Sequence, residues 1–83
     1  MNKTKIYDVL AYEICKICKD INTIDGNMKL KEDLNFSSMR TLTLIIHLED
    51  RLGIEFSEEF IPTMILCTVD EIVEAILKEM EAA

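Results

Sequence analysis

Apolar residues recur near the start of the chain at Ile6, Leu10, Ile14, Ile17 and Ile21, spaced by three and four, which traces one face of a helix. Tyr7, Ala11, Cys15 and Cys18 form the neighbouring stripe, so that face is broad. Thr4 stands where an N-cap is needed, and the helix is expected to fade near Asp20, before the turn-formers of Asn22–Asn27. Residues 22–37 read as a long loop pinned to the core by Leu30 and Leu34, and loops of that length in small domains tend to carry function. A second helix is predicted from Ser38 to Leu52, stopped by Gly53. Ser57, with Glu58 and Glu59, is expected to cap a short third helix ended by Pro62. Thr68-Val-Asp-Glu71 is a capping box, and Val69, Ile72, Val73, Ile76, Leu77 and Met80 give the last helix a clean apolar stripe. The expected fold is an all-α bundle of three main helices and one short one in a single domain spanning 1–83, without repeats or low-complexity segments.

The second helix carries more apolar residues than one core contact needs. At about 100° per residue, Arg40, Thr43, His47, Asp50 and Arg51 share a polar sector, and the apolar residues spread over roughly 220°. Glu49 falls inside that arc. Two apolar faces resolve the conflict: Leu44, Ile45, Leu48 and Leu52 toward the core, and Met39, Leu42 and Ile46 on an exposed strip with Glu49 beside it. The alternative is a central helix buried on several sides.

Composition narrows the function classes. The 83 residues make one small domain, 49% hydrophobic, with two glycines and one proline, which fits a folded helical chain and not a turn-rich β design. The net charge of −7 is lopsided. Acids and bases cancel over residues 1–53, whereas residues 54–83 set eight acids against Lys78 alone. Such a chain does not track nucleic acid or an anionic membrane by charge, and basic protein partners are expected. Asp8 and Glu13 interrupt the apolar N-terminal run, so neither a signal peptide nor a membrane span is expected there. Cys15, Cys18 and Cys67 suit free thiols in a reducing cytoplasm. Cys15-Lys-Ile-Cys18 is a C-x-x-C without evident partners, read first as core filling and second as a thiol or metal module. His47, in the polar sector, is expected to be a solvated surface histidine.

Candidate chemistry concentrates at Ser37-Ser38, directly before the second helix. Either hydroxyl suits an N-cap, and the same helix end, with unpaired N–H groups and a positive dipole, suits a phosphate ester. The segment "DLNFSSMRTLTLIIHLEDRLGIEF" resembles the central part of acyl carrier proteins, and "TVDEIVEAI" resembles the start of that family's last helix. Asp33-Leu34, Ser38-Met39, Leu48-Glu49-Asp50 and Gly53-Ile54-Glu55-Phe56 fall on the family's pattern. The resemblance implies a right-handed antiparallel four-helix acyl-carrier-like bundle, monomeric and without catalysis of its own. It implies covalent 4′-phosphopantetheine on Ser38, attached by a phosphopantetheinyl transferase (holo-acyl-carrier-protein synthase). The arm's thiol would hold an acyl or aminoacyl group as a thioester for loading and chain-processing enzymes of fatty acid, polyketide or nonribosomal peptide biosynthesis. Ser37, Met39, Arg40, Leu42, Ile46, Glu49 and Asp50 are the implied partner-facing residues. Four positions depart from the pattern: Ser37 replaces an acid, Asn35 a glycine, and Arg40 and Arg51 replace acids. The alternative reading is an unmodified helical interaction module docking through the strip Met39, Leu42 and Ile46.

Overall fold

The structure, a computed structural model, describes residues 2–19, 21 and 23–82, with Ile61 and Ala82 described by their backbone alone. Four helices follow in order: α1 (Lys3–Ile17), α2 (Ser38–Leu52), α3 (Phe60–Met64) and α4 (Val69–Ala82). No strand occurs among the described residues; the one extended pairing is an isolated bridge between Lys29 and Thr68. The chain folds into a body of 34 × 25 × 20 Å in which α1 packs on both α4 and α2, and α3 packs on α2.

Asn2, and not Thr4, caps α1: its side-chain oxygen accepts from the Lys5 N–H at 2.9 Å. Asn and Thr both supply the required acceptor, so the cap moves two residues upstream and Thr4 enters the first turn. Ile6, Leu10 and Ile14 are fully buried as the spacing demands. The helix closes at Ile17, with the Cys18 N–H donating back to the Ile14 carbonyl at 2.8 Å. Asp20, where fading was expected, and Asn22 lie outside the described residues. Ile21 therefore stands beyond the helix, yet still packs against the core.

The long connection is tied down throughout its second half. Leu30, Leu34 and Phe36 are buried, and the Leu34 and Phe36 N–H groups donate to the Lys29 and Leu30 carbonyls. The same connection closes the start of α4. Met28 and Gly26 carbonyls accept from the Val69 and Asp70 N–H groups at 2.8 and 3.0 Å. First-turn N–H groups have no partner within their own helix, and here the loop backbone supplies one. The capping box forms as its sequence requires, with the Thr68 N–H donating to Glu71 Oε1 at 2.9 Å and the Glu71 N–H to Thr68 Oγ1 at 3.2 Å.

The third helix differs from expectation. Pro62 lies inside α3, and Glu59 precedes the helix without a side-chain cap. Pro62 is the third helical residue, where an N–H has no intrahelical acceptor, so a proline costs no hydrogen bond there. Ser57 contributes its carbonyl, which accepts from the Phe60 N–H at 3.0 Å, and not its hydroxyl. Met64 anchors this short helix from a fully buried position.

Candidate functional site

The site is the start of α2 and the helix face that follows it. Asn35 is the one described non-glycine residue with a positive φ, at 56°. Asparagine tolerates this left-handed backbone better than other side-chain-bearing residues, because its short amide relieves the clash by local hydrogen bonding. The turn redirects the chain after buried Leu34, drops Phe36 into the core and brings Ser37 to the helix end. Ser37 then caps α2: its φ of −81° and ψ of 172° are extended, and its Oγ accepts from the Arg40 N–H at 3.2 Å. Its carbonyl accepts from the hydroxyl of fully buried Thr41 at 2.9 Å. Ser38 is the first helical residue, exposed, and its hydroxyl makes no hydrogen bond among the described residues. The two adjacent serines thus occupy different environments, one engaged in capping and one open to solvent.

Beyond Ser38, α2 has the two apolar faces its wheel requires. Leu44, Ile45 and Leu48 are buried in the core, and Leu52 packs against it. Met39 is 72% exposed, Leu42 39% and Ile46 53%. At spacings of three and four these form one stripe leading from Ser38 to a shallow hollow lined by Ile46, Glu49, Ile54 and Phe56. Glu49 is partly buried because its Oε2 accepts from the Phe56 N–H at 2.9 Å. That bond explains a carboxylate inside an apolar arc: it fastens the segment after α2 to the helix. Asp50 is exposed.

Arg40 turns away from the strip. Its guanidinium donates to Cys18 Sγ at 3.2 Å across a cleft of about 620 Å³. The cleft is bounded by the end of α1 (Cys18, Ile21), the loop (Asp33, Leu34, Asn35) and the start of α2 (Ser37, Arg40). Cys18 is buried and Cys15 and Cys67 are partly buried; all three are free thiols. Among the described residues, no group of three His, Cys, Asp or Glu side chains could hold a metal. No described helix is long and apolar enough to cross a membrane.

His47 is not merely solvated. Its Nδ1 lies 3.0 Å from Oε2 of Glu13, whose Oε1 accepts from Arg51 at 3.1 Å. Glu13 is only 2% exposed. Burial pushes its carboxyl up, but hydrogen bonds from His47 and Arg51, aided by the charges of His47 and Lys16, outweigh that and hold it below 4.5. Arg51 also lies over the Tyr12 ring, 5.1 Å from its centroid. The sequence held a signal for this cluster. Glu13 follows Ile6 by seven residues, which puts it on the apolar stripe, and His47 and Arg51 are one turn apart on α2.

Comparison of the chain with family models, with curated proteins and with solved structures gives no match.

Proposed function

We propose that this protein is a carrier of the acyl carrier type, holding acyl or aminoacyl groups as thioesters on 4′-phosphopantetheine attached to Ser38. The observation that carries the reading is the division of labour at the serine pair. Ser37 satisfies the helix end, which leaves the neighbouring Ser38 hydroxyl exposed and without an internal bond, at the head of an exposed apolar strip. The order of helices, with a long connection before α2 and a short α3, is the order the resemblance implies. Asn35 adds support: its left-handed backbone is the conformation for which glycine is the usual residue, so Asn35 keeps the turn that a glycine would make.

The residues present fit the prosthetic group. An open hydroxyl on the first turn of α2 accepts a phosphodiester where helix N–H groups favour negative charge, and the cleft beside it has room for a flexible chain. When bound, the group supplies the thiol that carries the cargo. Met39, Leu42 and Ile46 then form the surface that successive enzymes recognise, with Asp50 at its rim. Ser37 stands where the resemblance places an acid, and aspartate caps a helix as well as serine does. Ser37→Asp is therefore expected to fold normally and to be modified at least as fast by a phosphopantetheinyl transferase.

Intact-mass measurement after incubation with coenzyme A and a broad-specificity transferase tests the reading. One phosphopantetheine is expected to add to the wild type. Ser38→Ala abolishes the gain without loss of stability, whereas Ser37→Ala retains it and loses about 1 kcal/mol of stability with the cap. Exchange of those two outcomes would move the attachment to Ser37. No gain with several transferases, Ser37→Asp included, would replace the carrier with an unmodified module that docks through the same strip.

A further inference from the structure

A hollow of about 270 Å³ lies on the edge between α1 and α2, lined by Tyr12, Glu13, Lys16, His47, Asp50 and Arg51. Tyr12 is 57% exposed, a large aromatic that the core does not use. Two cations border its ring: the Arg51 guanidinium lies 5.1 Å from the centroid and Lys16 Nζ 5.9 Å. Charge is sorted by depth here. Glu13 is buried and both its carboxylate oxygens are taken, by His47 and Arg51, so it joins the two helices and presents little of its charge to solvent. Lys16 and Arg51 are exposed and His47 partly so, against Asp50 as the one exposed acid in the lining. The fold thus withdraws an acid and leaves cations at the surface, on a chain whose net charge is −7. The hollow falls short of the roughly 300–1,000 Å³ of small-molecule sites and suits a docked side chain. Two exposed cations beside an exposed acid do not make the phosphate-tracking stripe that a nucleic acid needs. Exposed tyrosine and arginine are instead the side chains that most often anchor protein interfaces. On the wheel of α2, Asp50 and Thr43 stand between the strip of Met39, Leu42 and Ile46 and the pair His47 and Arg51. A partner seated on the strip therefore reaches this edge without leaving the helix.

We propose that this edge docks an acidic segment of a partner protein, with carboxylates on Lys16 and Arg51 and an apolar side chain against the Tyr12 ring. The molecule then has two faces of opposite preference: α4, whose exposed acids favour basic surfaces, and the α1–α2 edge, which favours acidic ones. The separation also orients an acidic partner in approach, since α4 repels what the edge attracts. The edge needs no prosthetic group, so the inference stands whether or not Ser38 is modified.

The test titrates the isotope-labelled full chain with the peptide acetyl-Glu-Glu-Leu-Glu-Glu-amide and follows amide shifts by NMR at 10 mM NaCl. Saturable shifts are expected at Tyr12, Lys16, His47 and Arg51, and they weaken at 300 mM NaCl as salt screens the charges. Lys16→Glu and Tyr12→Ala, both at exposed positions, are each expected to weaken binding several-fold while the urea midpoint stays near wild type. The same peptide with lysine in place of glutamate is expected to move amides of α4 instead. No saturable shift, shifts scattered over the surface, an affinity untouched by Lys16→Glu, or equal shifts with inorganic phosphate would overturn the proposal. Shifts of the same residues on concentrating the protein alone, abolished by Lys16→Glu, would overturn it in favour of α4 of a second copy as the occupant.

Discussion

Glu13 concentrates the residue-scale physics of this chain. A carboxylate on the buried stripe of α1 would be costly alone, since burial disfavours its charged form. It is tolerated because His47 and Arg51 reach it from α2, each with its outer portion in solvent. Lys16, Asp50 and the Tyr12 ring complete the surround. The net effect holds the Glu13 carboxyl below its ordinary 4.5. A carboxylate depressed by folding stabilises the fold fully above the unfolded value, and that contribution fades as pH falls through the lower folded value. Urea unfolding at pH 7 is expected to show Glu13→Gln less stable than wild type by about 1–2 kcal/mol, the worth of a charge-assisted hydrogen bond with half-exposed partners. The gap should narrow from pH 5 to pH 3, because only the wild type loses the contribution there. A gap constant with pH would show that shape, and not charge, determines the preference for glutamate. In sequence, Glu13 interrupts an apolar run, and its place on the buried stripe together with the one-turn spacing of His47 and Arg51 is the only signal; that the two sets meet is a tertiary contact, which no local pattern contains.

At the scale of the element, α2 was the most legible part of the chain. Its start, its stop at Gly53 and its two faces all follow from residue types at known periods, and Gly53 has the left-handed φ of 67° that such a stop requires. The wheel sets Thr41 on the core face between Leu48 and Leu52, but its polarity disguises it: it is fully buried with its hydroxyl bonded to the carbonyl of Ser37. A threonine satisfied by its own helix turn looks, in sequence, like an exposed one. The caps of α1 and α3 differ from expectation for a related reason: residue type offers several acceptors near each start, and backbone geometry takes Asn2 at α1 and the carbonyl of Ser57, with no side-chain cap, at α3. The two faces of α2 make opposite predictions for the same kind of change. Leu48→Ala, at a site with no exposure, is expected to cost about 2–5 kcal/mol. Met39→Ala, Leu42→Ala and Ile46→Ala should each stay within about 0.5 kcal/mol of wild type by chemical denaturation. A cost near 2 kcal/mol at Ile46 would mean that the strip is packed in solution and cannot serve as a docking surface.

At the scale of the whole molecule, the long connection and the charge asymmetry meet at α4. The length of the connection predicts a function-bearing loop, and part of it also completes a helix end, because its carbonyls accept from the first N–H groups of α4. That pairing joins backbone groups some forty residues apart and leaves no trace in side-chain patterning. Exposed acids Asp70, Glu71, Glu74, Glu79 and Glu81 then crowd one helix, opposed by Lys78 and by the ion pair of Lys3 with Glu74 across to α1. An exposed pair of this kind contributes little, because solvent screens it. The repulsion among the remaining acids acts over distances that added salt screens, with a Debye length near 8 Å at 0.15 M. The two effects have opposite salt dependence, so one titration decides between them. If self-repulsion dominates, as the net charge of −7 argues, the urea midpoint rises between 10 and 300 mM NaCl, and Lys3→Ala rises more steeply because it is more acidic and has no pair to lose. A midpoint that falls with salt in the wild type but not in Lys3→Ala would show instead that the link between α1 and α4 outweighs the crowding, and that the acidic face costs the fold little.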